Sequence, residues 1–233
     1  EAGPYQQAWQ KYYYDTKRVP GDRPRPTQQV GPASHKIGEQ SSDYQCALRD
    51  HRVQAGCTAV VAFRVGELLY CANAGDSRGV LCRGDDQVFP LSEDHKPTSL
   101  VEMTRIEGAG GFVSANGRIN GNLNLSRSLG DMKYKQVPNL LPAEQIITAE
   151  PDITVTEIQP DDKFFVLACD GVWDVLENQE MCDFVRTRLE RGMEVKDIVE
   201  DVFKHCVADD PRRTQGIGGD NMTCMIVLLN YKQ

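Results

Sequence analysis

The chain has 233 residues, 40 % of them hydrophobic and 26 % charged, which is the balance of a soluble globular protein and excludes a fibrous or wholly disordered one. Its 34 acidic residues outnumber 26 Lys and Arg, giving a formal net charge of −8 and arguing against a nucleic-acid partner, whose phosphates call for a basic excess. No apolar run is long enough to cross a bilayer and no charged-then-apolar leader is present, so no membrane association is expected.

Residues 1–55 differ in texture from the rest. Trp9, Tyr12 and Tyr13 are spaced to line one face of a short helix, or to form a small aromatic face that docks on a domain. The stretch 14–43 follows with four prolines and no apolar period, as expected of a loop or linker. This divides the chain into an N-terminal segment, 1–55, and a domain, 56–233.

From Gly56 onward, "CTAVVAFRV", "ELLYCANA", "RGVLCRG" and "DQVFPL" predict a meander of antiparallel strands, with a glycine-first hairpin turn at Gly66–Glu67. The stretch 96–111 predicts a helix capped by Thr98 or Ser99 and stopped by Gly110–Gly111. Residues 111–131 suggest a hairpin and then an irregular segment, and 153–170 give two strands around a Pro-Asp-Asp turn. Two helices follow. The first carries Met181, Phe184, Val185 and Leu189 on one face, with Asn178 as its N-cap and Gly192 as its stop; the second carries a stripe from Val195 to Cys206. The apolar run 221–230 predicts a last strand covered on both faces. Strands and helices do not alternate, so the fold class is α+β with mainly antiparallel sheet.

The eight cysteines form no CxxC pair and most sit in apolar surroundings, which suits reduced thiols in a cytoplasmic or nuclear protein better than a disulfide framework. The four histidines lack zinc-ligand spacing to them.

Three acids mark strand–turn junctions, each beside a glycine: Gly75–Asp76, Asp170–Gly171 and Gly219–Asp220. Mg²⁺ and Mn²⁺ take oxygen ligands from a few carboxylates, and strand ends would hold such acids in place. An Asp at a strand end is also ordinary turn chemistry, so each acid alone has a structural reading. His95 in "SEDHKP" could act as a general acid or be hydrogen-bonded into a loop. Arg127 in "NLSRSLGD" could bind phosphate or fix its loop through an Arg–Asp pair.

The segments "GCTAVV" (56–61), "ANAGDSR" (72–78), "EDHKP" (93–97), "RIEGAGG" (105–111), "GRINGNLNLSRSLGD" (117–131), "PDI" (151–153), "LACDGVWDVLENQE" (167–180) and "GGDNMT" (218–223) occur in an order that resembles the metal-dependent Ser/Thr protein phosphatases of type 2C. The region 122–145 looks most like the branch that includes the gamma-type nuclear phosphatases. The resemblance implies a sandwich of two mainly antiparallel β-sheets flanked by helices, with a two-ion Mn²⁺ or Mg²⁺ centre at one end. It implies that Asp170 and Asp220 ligate metal directly, and that Asp76 serves a third, weaker site together with Asp170. The implied activity is hydrolysis of phosphoserine and phosphothreonine in protein substrates by a metal-activated water, with no phosphoenzyme. The region from "DHKP" to "SRSLGD" would form a flap beside the substrate groove.

One departure is large. Members of the family carry, before "GCTAV", a Glu-Asp motif, an Asp-Gly-His-Gly-Gly motif and a phosphate-binding arginine. No "DGH" occurs here, and neither His35 nor His51 has that context, so no catalytic residue is assigned beyond the metal ligands. With the bridging acid absent and residue 1 a Glu, the chain is expected to be a fragment that lacks N-terminal strands and is poorly active alone. The alternative is a non-catalytic, pseudophosphatase-like binding module; the intact Asp76, Asp170 and Asp220 favour the enzyme. A monomer acting on phosphoproteins in cytoplasm or nucleus is expected.

Overall fold

Strands Ala59–Val65 (β2) and Leu68–Ala74 (β3) pair antiparallel from Val65↔Leu68 to Ala59↔Ala74. The computed structural model that shows this describes residues 55–84 and 87–229; the predicted aromatic face at Trp9, Tyr12 and Tyr13 and the Pro-rich stretch lie outside the described residues. The hairpin turns at Gly66, whose φ of +60° favours glycine, as the sequence predicts. Strand Asp152–Glu157 (β7) pairs with the other side of β3 and completes a three-stranded sheet. Gly56–Cys57 (β1) forms a separate two-residue ribbon with Leu129–Gly130 (β6).

The second sheet has four strands in the order β5-β4-β8-β9, all antiparallel: Arg78–Arg83 (β4), Gln87–Pro90 (β5), Asp162–Ala168 (β8) and Cys224–Leu228 (β9). The expected meander is therefore broken between β3 and β4, where the chain leaves one sheet for the other at Gly75–Asp76–Ser77. The reason lies in β4 itself. Val80 and Cys82 are buried on one face and Leu81 on the other, so this strand needs cover on both sides and sits inside a sheet. The two strands flanking the Pro-Asp-Asp turn likewise part company, β7 to the first sheet and β8 to the second.

β8 shows how the layers are built. Phe164, Val166 and Ala168 face the helices Asp170–Trp173 (α2), Asn178–Glu190 (α3) and Val195–Cys206 (α4), while Phe165 and Leu167 face Leu69, Cys71, Leu81 and Leu91 in the core between the sheets. This is the expected α+β sandwich, with alternate side chains feeding two cores. Leu81 is fully buried in the inter-sheet core. Leu81→Ala is expected to cost about 2–5 kcal/mol, read as a lower denaturant midpoint with unchanged slope.

Three local expectations need correction. Asn178 is the first residue of α3, not its cap; Glu177 takes that place, and its N–H donates to the Glu180 carboxylate at 2.9 Å. The Asn178 side chain is instead occupied by Arg78, as described below. β9 is covered on its helix side at Ile226, but Met225 on the other side is 56 % exposed, and a cleft of about 300 Å³ opens there, lined by Ala62, Leu69, Phe165, Leu167 and Val227 among others. The expected hairpin in 111–131 is reduced to isolated bridges, Val113↔Ile119 and Ile119↔Leu123, because Ile119 is pulled into a small core with Ile106, Tyr134 and Ile147. The helix before it, Leu100–Gly108 (α1), begins after Ser99 and ends before Gly110 at φ +84°, near the predicted bounds.

Candidate metal centre

The register of the second sheet decides which turns meet. Arg78 in β4 is opposite Ala168 in β8, and Ala168 is opposite Cys224 in β9. Asp76 stands two residues before that line, Asp170 two residues after it, and Asp220 four residues before it. All three acids therefore belong to one end of the sandwich.

Asp76 is 2 % exposed. Its turn is held from several sides. Asn73 Nδ2 donates to Gly75 O at 3.0 Å and to Glu93 O at 2.9 Å; the N–H of His95 donates to Gly75 O at 3.0 Å; the hydroxyls of Thr58 and Ser77 meet at 2.8 Å. His95 completes the clasp. Its Nδ1 accepts from the Gly75 N–H at 3.1 Å and its Nε2 meets the Asp152 carboxylate at 3.0 Å. Both ring nitrogens are engaged in framework bonds, so the loop-histidine reading holds and the general-acid reading has no free nitrogen to use.

Arg78 follows Asp76 in sequence but does not pair with it. Its guanidinium makes two 2.8 Å bonds to Asp94, donates to Asn178 Oδ1 at 2.7 Å and stacks 5.2 Å from the Trp173 ring. The partner of Asp76 is Lys96, whose ammonium lies 2.7 Å from Asp76 Oδ2. Sequence reasoning missed this pair; the only signal was a lysine in "DHKP", 20 residues away.

Asp170 opens α2, immediately past the strand end and Cys169. The sharp strand-to-helix turn lets Trp173 reach back, its Nε1–H shared between Ala168 O at 2.9 Å and Arg78 O at 3.2 Å. Cys169 ties this turn to the segment carrying Asp220: the Thr223 N–H donates to its Sγ at 3.1 Å. Gly171 allows the two to touch, because a Cβ there would lie 2.3 Å from the Asn221 carbonyl oxygen. Gly171→Ala is expected to push α2 off the 220–223 segment and to cost about 1–3 kcal/mol, visible as a lower Tm with hydrogen-exchange protection lost first at 221–223.

Burial, then the negative charges of Asp76, Asp174 and Asp220, push the Asp170 carboxyl pKa up, and Lys96 opposes them. Three acids thus bear on Asp170, with one lysine opposing them. Asp220 is exposed, its Oδ1 accepting the Asn221 N–H at 2.7 Å. Among the described residues, no three His, Cys, Asp or Glu side chains are closed into a ligand cage. The donor chemistry nevertheless fits a hard divalent cation: carboxylate oxygens only, mutual repulsion that a cation would relieve, and an ammonium already drawn to the most buried of them.

Arg127 pairs with Glu102 at 2.7 Å and with Asp152 at 2.7 Å, and Glu102 also pairs with Arg105 at 2.7 Å. The loop-fixing reading of Arg127 thus holds, but with different acids from Asp131, which accepts from the Ser128 hydroxyl at 2.6 Å. Burial acts to raise the Glu102 pKa; the hydrogen bond from Arg127 and the charges of Arg105 and Arg127 outweigh it and hold the carboxyl at about 2.

A family model described as protein phosphatase 2C matches residues 20–213. "Protein phosphatase 2C homolog 3" of Schizosaccharomyces pombe is 51 % identical over 180 residues, covering 77 % of this chain and 42 % of that protein. "Probable protein phosphatase 2C 6" of Paramecium tetraurelia is 47 % identical over 180 residues, covering 77 % of this chain and 60 % of that protein. The chain therefore spans about half the length of these curated relatives. A crystal structure of a phosphatase from Toxoplasma gondii aligns with a TM-score of 0.59 at 30 % identity, covering 70 % of this chain and 49 % of that one. A serine-threonine phosphatase 2C from the same organism aligns with a TM-score of 0.63 at 20 % identity over 97 % of this chain and 75 % of that one, which speaks to the fold.

Proposed function

Because the chain belongs to the protein phosphatase 2C family, we propose that it is the part of a protein Ser/Thr phosphatase that carries Asp76, Asp170 and Asp220 as ligands of a Mn²⁺ or Mg²⁺ centre. The observation that supports this reading most is the strand register that brings Asp76, Asp170 and Asp220 to one end of the sandwich. Bound there, divalent cations would supply an activated water and neutralise charge on a phosphoryl group.

Within this reading the chain's own residues have separate tasks. Asp170 and Asp220 would ligate the two-ion centre, and Asp76 with Asp170 would hold a third ion more weakly. Arg78, Asp94 and Trp173 keep the Asp76 and Asp170 turns in register. The Glu102–Arg127–Asp152 network holds the flap segment against the sheet end that carries Asp76. The substrates are phosphorylated proteins, and the protein acts as a monomer without nucleic acid, in cytoplasm or nucleus. Among the described residues, no helix is long and apolar enough to cross a membrane.

The second reading, a non-catalytic binding module, draws on one sequence fact: no Asp-Gly-His motif occurs in these 233 residues, so the acid that bridges two ions in the family has no counterpart. On the enzyme reading the same fact makes this chain poorly active alone. The experiment is Mn²⁺-dependent release of phosphate from a phosphothreonine peptide by this chain and by the chain extended with the family's upstream motifs. Activity in the extended form that vanishes in Asp170→Asn supports the enzyme. A folded, Mn²⁺-binding extended form with no turnover supports the binding module.

A further inference from the structure

The Lys96–Asp76 pair has a geometry that a purely structural ion pair does not need. Asp76 is almost fully buried, whereas the Lys96 side chain is 39 % exposed and approaches from the solvent side. The backbone around Lys96 is fixed: His95 bonds to Gly75 in both directions, and the Ser99 N–H donates to Lys96 O at 3.0 Å. The stem beyond Cα is the movable part. The other cation nearby, Arg78, is committed to Asp94, Asn178 and Trp173. Lys96 is thus the counter-ion that a buried carboxylate needs in the absence of metal, on a tether that can release it.

We propose that Lys96 occupies the Asp76 carboxylate in the metal-free protein and is displaced when Asp76 takes a divalent cation, so that Lys96 sets the metal affinity of this site. The inference rests on the metal reading of Asp76. Competition of this kind lowers apparent affinity by the factor that the tethered ammonium favours its own pairing. It also keeps the metal-free turn folded, since an unpaired Asp76 would be a buried naked charge.

The test is Mn²⁺ titration of this chain by calorimetry, with thermal melts at zero and saturating Mn²⁺, on wild type, Lys96→Met, Lys96→Arg and Asp76→Asn. Asp76→Asn should lose one binding event. Lys96→Met should keep that event with a Kd lower by about tenfold or more, melt earlier than wild type without Mn²⁺, and match it at saturation. Lys96→Arg should resemble wild type. A direct readout on the unaltered chain guards against variants that do not fold: labelling of Lys96 by an amine-reactive reagent should increase when Mn²⁺ is added. An Mn²⁺ event that needs Asp76 but leaves Lys96 labelling and the Lys96→Met affinity unchanged overturns the inference and spares the metal reading. An Mn²⁺ isotherm indifferent to Asp76→Asn, or no Mn²⁺ binding at all, removes the metal reading of Asp76 and this inference with it.

Discussion

Asp170→Asn is expected to abolish Mn²⁺-dependent turnover in any form of the protein that hydrolyses a phosphothreonine peptide, while leaving the fold intact. The loss should exceed the ~10–100-fold that removal of a mere supporting partner costs a metal site. Stability should move the other way. The Asp170 carboxylate is disfavoured by burial and by Asp76, Asp174 and Asp220. A neutral amide of the same shape removes that repulsion, so the metal-free melting temperature should hold or rise. What should disappear is the extra stabilisation that Mn²⁺ gives the wild type, which follows the ligand concentration by mass action. Full activity in the variant, or its unfolding, would sink the assignment. So would an undiminished rise of Tm with Mn²⁺.

The acid-bearing strand ends were legible in the sequence because each is a local event. "FFVLACDGVW" announces an apolar strand that ends in an acid and a glycine turn, and the structure has β8 ending at Ala168 and α2 starting at Asp170; that β8 feeds two cores is seen only in its packing. Helices α3 and α4 were legible for the same reason, through their apolar stripes. The assignment of strands to sheets was not. Hairpin signals link neighbours in sequence, but β4 is apolar on both faces and gains more from lying between β5 and β8 than from staying beside β3. The partners of charged residues were also hidden. Arg78 is two residues from Asp76 in sequence, yet pairs with Asp94 and Asn178, because the β4 backbone turns its side chain toward α3. Lys96, 20 residues away, arrives at Asp76 only because the His95 clasp fixes its backbone there.

The buried network around Glu102 gives the other large effect. Glu102 is 2 % exposed and faces Arg105 and Arg127, two guanidinium groups equally hidden from solvent. Removing the acid leaves both cations short of a counter-charge. Glu102→Gln should therefore destabilise the protein by about 3 kcal/mol or more, as one-sided removal from a buried pair does. Arg127 keeps Asp152 at 2.7 Å, but Arg105 is left without the acid it faces. The pH dependence has a definite sign. The Glu102 carboxyl is held at about 2, below its ordinary value of 4.5, so its contribution is complete above about pH 4.5 and is lost as pH falls toward 2. Wild type should lose about 3 kcal/mol across that window from this group, while Glu102→Gln starts lower and shows a flatter slope there. Chemical denaturation at pH 7, 4.5 and 3 separates the two. Parallel slopes for wild type and variant would mean that this segment is held by its apolar contacts at Ile106, Ile119 and Ile147, not by the charge network beside them.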